Sequence, residues 1–547
     1  MPVNESSTEL PEIQVDGYTT GGKKLEISGI NKVKIENLNK MTSQVNDFYN
    51  GKNIFLTGGT GFLGICFVEK LLRSCPDLKN IYLLIRPKKG KQINERLEEL
   101  TQNSVFDRLR EENKTELFKK LIAISGDIGE DNLGLSNEDR SQLIENVQIV
   151  VHSAATLDFE VSLKNAVLIN LLGTRRVIQL CQEIKNLKAL VHVSSAYVNS
   201  VLYDVQEKIY PPPEDVNKVL KLVKELDDKA LEDETPKLLG EHPNSYTFTK
   251  HLAEHEVANA HLPSAIVRPS MIVGAWKEPV PGWTISKNGP TGFLMGASKG
   301  IVRRLPIAKS LIYDYIPVDI VVNTLITAAY AVNRDGGNNV KVYHCTSSTC
   351  NPFKWECVES KITPFLHRYP LKSAVWYPHL KIINSLFLFR ISAFFVHIIP
   401  AFILDTITRL LGGRPILIRL HNNINKSLDR LEKFIFTEWK FNNPVFMDLK
   451  KSLSEEDKDK FFMNIESLVW EDYFLNLVLG VRIYLSKDPK KTLKKARSKN
   501  LILMVAHLSL QALLLGFFWW VVKVLFNSSW TKTSMAVPII YFFFDQL

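Results

Sequence analysis

The stretch that decides the fold lies at residues 52–90, which contain NIFLTGGTGFLG at 53–64 and IYLLIRPKKG at 81–90. An apolar strand pattern turns through Gly58, Gly61 and Gly64 into an apolar helical pattern, and a second strand pattern ends at Arg86. Such a turn suits a dinucleotide pyrophosphate, because glycine lets the backbone approach the phosphates and the helix N-terminus presents free N–H groups. A glycine triplet alone also caps ordinary helices, but its place between a strand and a helix favours a nucleotide site.

Arg86 indicates which dinucleotide binds. An NAD site carries an acidic residue at the end of the second strand for the ribose 2′-hydroxyl, whereas an arginine there accommodates the 2′-phosphate of NADP. Lys88 and Lys89 follow Arg86, and the first acidic residue after them is Glu95. A solvated basic loop would have a similar composition. The position at the end of a strand favours NADP(H).

Composition limits the class of protein. The 547 residues suffice for two or three domains. Six cysteines without paired metal spacing predict reduced thiols in a cytosol-facing protein and no metal site. The net charge of +10 suits an anionic lipid or a polyphosphate substrate, while the lack of basic motifs interleaved with aromatic residues argues against nucleic acid. The polar residues 1–46 predict a flexible leader without a signal peptide.

Strand and helix patterns alternate along the first half of the chain. Apolar runs at 122–125, 147–152 and 190–193 predict strands, and residues 168–184 form a helical pattern. This alternation predicts an α/β fold with a doubly wound parallel sheet of the Rossmann type. Small residues at 153–156 follow one of these strands, where they leave room for the cofactor ribose and nicotinamide.

Three side chains predict the chemistry. Tyr246 and Lys250 are four residues apart, so they share one face of a helix. A lysine ammonium beside a phenol favours the phenolate and lowers the pKa of the tyrosine. Tyr246 is therefore a candidate acid for a carbonyl oxygen, and Ser195, after the strand at 190–193, is a candidate hydrogen-bond donor to the same oxygen. An exposed helical face is the alternative, but the order of the motifs favours an NADP-dependent carbonyl reductase.

The same motifs resemble a known family. TGGTGFLG at 57–64, the order of Ser195, Tyr246 and Lys250, and VRPSMIVGAW at 267–276 resemble the extended short-chain dehydrogenase/reductase group. More narrowly, the chain resembles the alcohol-forming fatty acyl-CoA reductases in LLIRPKKG at 83–90, GDI at 126–128, HSAAT at 152–156, HVSSAYVN at 192–199, IPVDIVVN at 316–323 and HCTSS at 344–348. The resemblance covers about residues 52–487. Members of the family often carry threonine where Ser195 stands.

The resemblance implies an activity and a set of site residues. A long-chain fatty acyl-CoA would be reduced to a primary alcohol by two NADPH, with release of CoA and through a bound aldehyde. Ser195, Tyr246 and Lys250 would be catalytic, with Lys250 holding both Tyr246 and the cofactor ribose. The predicted cofactor contacts are Thr57, Gly58, Thr60, Gly61, Phe62, Leu63, Gly64, Arg86, Asp127, Ile128, Ala154, Ala155, Tyr246, Lys250, Pro269 and Ile272.

Two apolar stretches predict contact with membrane lipid. Residues 384–411 are aromatic-rich but contain Arg390, His397 and Asp405, which favours an interfacial or acyl-chain-facing element over a span. A buried helix hairpin is the alternative. Residues 501–522 hold no formal charge and follow a basic flank at 490–499, which predicts a membrane anchor with the catalytic part in the cytosol. A buried hydrophobic helix is the alternative there.

The predicted organisation follows from these segments. The endoplasmic reticulum is the favoured membrane, with the peroxisomal membrane as the alternative, and a homo-oligomer is left open. The alternative functions are a membrane-bound sterol or hydroxysteroid dehydrogenase of the same group and a non-catalytic lipid-handling protein. The predicted domains are a flexible leader at 1–46, an NADP-binding Rossmann and substrate domain at 47–345, a linker and apolar membrane-associated or acyl-facing region at 346–430, a helical domain at 431–490, and a basic flank with a membrane anchor at 491–547.

Overall fold

Seven parallel strands form the centre of the protein. A computed structural model describes residues 43–87, 90–336 and 339–525, together with Trp530 and Ser534. The strand order across the sheet is β3-β2-β1-β4-β5-β6-β7, which confirms the predicted doubly wound parallel sheet. The strands are β1 (Asn53–Thr57), β2 (Asn80–Ile85), β3 (Leu121–Ser125), β4 (Ile149–His152), β5 (Ala189–Val193), β6 (Ser264–Pro269) and β7 (Lys341–Cys345).

Helices of the first half of the chain cover both faces of this sheet, because each strand is apolar on both sides. An insertion between β5 and β6 adds α7 and α8, which pack on Phe248 and Leu252 of α9. The helices are α1 (Gln44–Tyr49), α2 (Phe62–Ser74), α3 (Ile93–Thr101), α4 (Asp107–Glu111), α5 (Asn137–Asn146), α6 (Leu163–Ala166, continued through the π-helical turn Val167–Leu171 by Leu172–Glu183), α7 (Val216–Glu225), α8 (Asp228–Leu239) and α9 (Ser245–Ala258).

The second half of the chain is mainly helical. Its helices are α10 (Pro290–Ser298), α11 (Val318–Arg334), α12 (Glu359–Arg368), α13 (Leu386–Leu410), α14 (Leu417–Ile435), α15 (Pro444–Lys451), α16 (Glu455–Lys460), α17 (Trp470–Gly480) and α18 (Leu493–Leu525). Short strands pair outside the central sheet: Asp204–Val205 with Lys440–Phe441, Met271–Val273 with Tyr315–Pro317, Arg304–Pro306 with Lys381–Ile383, and Ile312–Tyr313 with Phe353–Lys354.

The C-terminal helices pack back onto the sheet. Phe474 and Leu477 of α17 belong to the same hydrophobic core as Val267 of β6. Ser43, just before α1, donates a hydrogen bond to Asp457 of α16, with 2.6 Å between Oγ and Oδ1. Of the predicted leader, residues 1–42 lie outside the described residues, and residues 43–46 adjoin this contact. The predicted domain boundaries stay predictions.

Both apolar stretches are helical. α13 and α18 are each long and apolar enough to cross a membrane. α13 is partly buried against the protein, whereas the most apolar part of α18 has no buried residue. The two helices therefore differ in how far they are buried by the rest of the protein, although their composition is similar.

Candidate active site

The glycine-rich turn lies at the carboxyl end of β1, where the strand order reverses between β1 and β4. Doubly wound sheets bind their ligands at this point. Gly58 has a φ of +77°, and a Cβ added there would lie 2.7 Å from the backbone nitrogen of Ala154. A Cβ on Gly64 would lie 2.2 Å from the carbonyl oxygen of Gly58. Both positions therefore require glycine, since backbone segments meet there too closely for a side chain.

The exposed part of the turn leads into α2. Thr60 and Gly61 are exposed, and Gly61 is the N-cap of α2, which has no side-chain cap. Phe62 and Leu63 are half-buried on the first turn, where Phe62 stacks on Trp283 with ring centroids 5.9 Å apart. The free N–H groups of this N-terminus, with the positive end of the helix dipole, fit an anionic pyrophosphate.

Thr57 connects β1 to β4 beneath the turn. Its Oγ1 is 2.7 Å from Nδ1 of His152 and accepts a hydrogen bond from the backbone N–H of Ala154 at 3.2 Å. Thr57 is fully buried, while Ala154 and Ala155 are half-buried. Thr57 thus fixes the relative position of two strand ends, and Ala154 lies directly against the glycine turn.

An open cavity of about 390 Å³ lies at the carboxyl ends of β2 and β3. Arg86 and Asp127 line it, with 3.8 Å between Nη1 and Oδ2. Arg96 of α3 lines the same cavity and donates a hydrogen bond to the backbone carbonyl of Arg86. Two guanidinium groups in one cavity suit a phosphate group. Arg96 was not predicted, although its place in the helix after the basic run was a usable signal.

Ser195, Tyr246 and Lys250 come together at the carboxyl end of β5. Tyr246 lies in the first turn of α9, which begins where the side chain of Asn244 accepts a hydrogen bond from the backbone N–H of Thr247 at 2.9 Å. The Tyr246 phenol lies near the Ser195 hydroxyl. Nζ of Lys250 donates to the backbone carbonyl of Val193 at 2.5 Å. The structure thus groups the three predicted side chains, whose catalytic roles remain a prediction.

Burial controls the protonation of this group. It raises the pKa of Tyr246 to about 12, against the lowering effect of the nearby Ser195 hydroxyl. It lowers the pKa of Lys250 to about 8, although Glu254 acts in the opposite direction. The sequence predicts that Lys250 lowers the pKa of Tyr246. Burial instead raises it, and Nζ of Lys250 donates its hydrogen bond to Val193. Tyr246 therefore stays protonated at neutral pH, as an acid must.

Two buried histidines beneath this group were not predicted as functional residues. The ring centroids of His152 and His192 are 5.3 Å apart, and Nε2 of His192 is 3.5 Å from Nζ of Lys250. Burial and then the charge of Lys250 lower the pKa of both histidines, that of His152 to about 3. Both rings are consequently neutral at physiological pH, so neither histidine adds a positive charge beside Lys250.

A buried ion pair supports α9 from inside the protein. Nη2 of Arg268 lies 2.6 Å from Oε2 of Glu254, and neither side chain is exposed. Ser194 donates to Glu254 at 2.5 Å, and Nη1 of Arg268 is 3.1 Å from Nε2 of His344. Burial alone would raise the pKa of Glu254, but Arg268 brings it below its ordinary value. Glu254 was not predicted, although it follows Lys250 on α9 at the same four-residue spacing as Lys250 follows Tyr246.

Aromatic side chains pack against the ring of Tyr246. The ring centroid of Phe159 is 5.7 Å from that of Tyr246 and 5.8 Å from that of Phe434 on α14. Phe434 also lines an apolar cavity of about 50 Å³ beneath α14. The aromatic cover and the cavity thus share one side chain. Other residues that line the cavity are Met271, Phe293, Leu305, Tyr313 and Leu431.

The remaining predicted contacts are less closely grouped. Pro269 ends β6, and Ile272 lies half-buried in the short strand Met271–Val273. Ile128 is buried in a hydrophobic cluster beside α6, and its carbonyl accepts a hydrogen bond from Nη1 of Arg176 at 3.1 Å. The side chain of Ile128 therefore packs inside the protein, away from the cavity that Asp127 lines.

Comparisons with known proteins agree with this architecture. Two family models, both described as "Male sterility protein", match the chain: the NAD-binding model at residues 56–325 and the Sterile model at residues 396–488. The first supports a nicotinamide cofactor. Among solved structures, the terminal R domain from the myxalamid PKS-NRPS biosynthetic pathway is similar in fold, with a TM-score of 0.52 and 19% identity over 82% of this chain and 92% of that chain.

Two relatives match almost the whole chain. The Drosophila melanogaster protein named "Putative fatty acyl-CoA reductase CG8306" is 55% identical over 517 residues, which cover 92% of this chain and 100% of that protein. Fatty acyl-CoA reductase 1 of Homo sapiens is 37% identical over 499 residues, which cover 91% of this chain and 95% of that protein. At this identity and coverage, the chain belongs to the fatty acyl-CoA reductase family.

Proposed function

We propose that the protein reduces a long-chain fatty acyl-CoA to a primary alcohol with NADPH, through a bound aldehyde and with release of CoA. The observation that carries the proposal is the arrangement around Tyr246. Its protonated phenol lies near Ser195 and on the same helix as Lys250, and the aromatic side chains that pack against it lead to an apolar cavity. The names of the two relatives support the substrate class.

The side chains divide the work in this proposal. NADPH, when bound, supplies hydride to the carbonyl carbon. Tyr246 donates a proton to the aldehyde oxygen, and the Ser195 hydroxyl holds that oxygen in place. Lys250 carries the positive charge that stabilises the phenolate left behind. The acyl chain lies in the cavity beneath α14, where about 50 Å³ holds a few water molecules at most, so Phe434 and its neighbours must move to admit it.

The choice of NADPH over NADH rests on Arg86. Replacing Arg86 with alanine removes a charge-assisted contact with the 2′-phosphate, so we expect the KM for NADPH to rise about 10- to 100-fold. The KM for NADH, which lacks that phosphate, should stay unchanged. Steady-state rates with each cofactor provide the measurement. Lys91→Ala, a basic residue of the same loop that pairs with Glu99, is the matched control, and equal effects of both variants would refute the assignment.

The pKa of Lys250 predicts how the turnover rate depends on pH. Burial lowers its pKa to about 8, so the ammonium is present below that pH and is lost as the pH rises through it. We therefore expect kcat to fall above about pH 8. In Lys250→Arg the charge persists, so the fall should vanish even if the plateau is lower. A pH profile at saturating substrates tests this, and an unchanged fall in the variant would exclude Lys250 as its cause.

The C-terminal helix supports a membrane location. α18 is long, apolar and free of buried residues in its most apolar part, and a basic flank at 490–499 precedes it. Positive flanks stay on the cytosolic side, so we infer that the catalytic part faces the cytosol. The endoplasmic reticulum is the membrane we favour, with the peroxisomal membrane as the alternative. An anchor suits a substrate and a product that both partition into lipid.

Separate assays with each candidate substrate test the proposed activity against the steroid alternative. Detergent-solubilised protein is supplied with NADPH and with either palmitoyl-CoA or a ketosteroid. NADPH oxidation that depends on palmitoyl-CoA and releases CoA supports the proposal. Turnover of the ketosteroid alone would assign the protein to the dehydrogenase alternative, and NADPH binding without turnover of either compound would favour a non-catalytic lipid-handling role.

A further inference from the structure

Helix α13 has more apolar surface than its contacts with the protein cover. One stripe at four-residue spacing faces the protein and is buried: Phe389, Ala393, His397, Ala401 and Asp405. The apolar side chains around the rest of the helix are exposed, Phe387 to 71% and Phe402 to 65%. We call this exposed surface the α13 face, which includes Phe387, Leu388, Phe394, Phe402, Ile403 and Leu410. A contiguous exposed apolar surface of this kind marks a site where something else binds.

Hydrogen bonds hold the buried stripe in place. Nε2 of His397 accepts a hydrogen bond from the backbone N–H of Arg303 at 3.0 Å. Asp405 accepts hydrogen bonds from the backbone N–H groups of Leu417 and Ile418 at 3.0 and 2.9 Å, at the start of α14. A helix that crossed the bilayer would break these bonds or carry polar groups into hydrocarbon. The bonds therefore keep α13 along the surface of the protein.

The anchor helix α18 touches the protein close to α13. Nε1 of Trp376 donates to Nδ1 of His507 at 3.3 Å, and the ring of Tyr377 stacks on His507 with centroids 5.6 Å apart. A few residues after Tyr377, the strand Lys381–Ile383 pairs with Arg304–Pro306. This second strand directly follows Arg303, whose backbone N–H donates to His397. The same small ribbon thus adjoins both helices.

The position of His507 sets the depth of this contact. His507 lies within the apolar stretch 501–522, about 9 Å along the helix from Leu501, where that stretch begins. This contact lies inside the apolar segment of α18. With α18 anchored in the membrane as proposed above, the neighbouring surface of the protein lies at the level of the membrane. Arg409, Arg414 and Arg419 are exposed around the turn that ends α13. Cations beside an exposed apolar surface are typical of helices that lie in a lipid interface.

We propose that the α13 face is inserted into the leaflet next to the catalytic part, with the helix axis parallel to the membrane plane and lipid acyl chains as its partner. The helix is about 37 Å long and would lie flat over that length. α14 runs beside α13, with Arg390 of α13 paired to Asp429 of α14, and it lines the apolar cavity through Leu428, Leu431 and Phe434. Insertion of α13 consequently brings the cavity to the edge of the leaflet.

Site-specific quenching in vesicles tests the proposal on the full-length chain. In a Cys357→Ser background, which removes the exposed cysteine, single cysteines replace Phe387, Phe402 or Leu410 and carry an environment-sensitive fluorophore. Leu513→Cys on α18 is the inserted control, and Glu232→Cys on α8 is the aqueous control, both at exposed positions. The probes are phosphatidylcholine vesicles with nitroxide lipids, the nitroxide being near the headgroup or near the chain end.

The proposal predicts that the three α13 labels are quenched by the headgroup-proximal nitroxide about twofold or more above the label at position 232, and equally at both ends of the helix. Stronger quenching of the label at 402 by the chain-end nitroxide than by the headgroup-proximal one, with the opposite order at 387 and 410, would show that α13 spans the bilayer and would overturn the proposal. So would quenching no greater than that of the aqueous control. A signal that follows the protein-to-lipid ratio instead of the nitroxide would assign the face to a second copy. None of these readouts depends on turnover.

Discussion

Replacing Tyr246 with phenylalanine is expected to lower the rate of alcohol formation about 10³-fold, while the Kd for NADPH changes less than about twofold. The substitution removes the hydroxyl that supplies the proton and keeps the ring that packs beside Phe159. Since burial raises the pKa of Tyr246 to about 12, the phenol is protonated and able to donate throughout the working pH range. Rates with palmitoyl-CoA and NADPH, together with a binding titration for NADPH, provide the measurement.

A matched substitution separates this effect from general damage. Tyr203→Phe removes a hydroxyl from a ring that is largely exposed, so it should leave the rate unchanged. If Tyr246→Phe kept more than about a third of the wild-type rate, another group would have to supply the proton. Loss of NADPH binding together with the rate would point to disruption of the fold, which a thermal unfolding midpoint would reveal.

Replacing Glu254 with glutamine is expected to lower the free energy of unfolding by about 3–5 kcal/mol. The variant keeps the shape of the side chain but leaves the Arg268 guanidinium buried without its counter-ion. The charge cannot move to water, because Arg268 is enclosed between α9, β6 and β7. Denaturant unfolding of the full-length protein in detergent provides the measurement, with intrinsic tryptophan fluorescence as the signal.

The same helix offers the control for this prediction. Glu256 pairs with Arg175 at 2.6 Å, but these side chains are 16% and 30% exposed. Partial exposure lets water replace the lost partner, so Glu256→Gln should cost only about 0–1 kcal/mol. If both variants lost the same free energy of unfolding, burial would not determine how much the Glu254–Arg268 pair contributes to stability.

The central sheet could be predicted because its signals are local. The apolar runs of β1 to β7 and the glycines after β1 lie within a few residues of one another in the chain. α13 was harder to interpret, since a helix that is apolar around most of its circumference does not show which side faces the protein. His397 and Asp405 were interpreted as costs for a spanning helix, and only the positions of Arg303 and Leu417 show that they attach it.

The candidate site was predictable to a similar degree. The four-residue spacing of Tyr246 and Lys250 identified one helix face, and the structure places Ser195 beside it. The network of Glu254, Arg268 and His344 was not predictable, because its hydrogen bonds join residues 14 and 76 positions apart. The direction of the Tyr246 pKa shift could not be predicted for a related reason. It depends on how deeply the side chain is buried, which the spacing of residues in the sequence does not show.

The central claim is the conversion of an acyl-CoA to an alcohol at one site. Its most direct test is to count NADPH oxidised and CoA released by the full-length protein with palmitoyl-CoA, while alcohol and aldehyde are separated. We expect about two NADPH per CoA, with alcohol as the product and no accumulation of free aldehyde. One NADPH per CoA with free aldehyde as the end product, or NADPH oxidation without release of CoA, would contradict the claim.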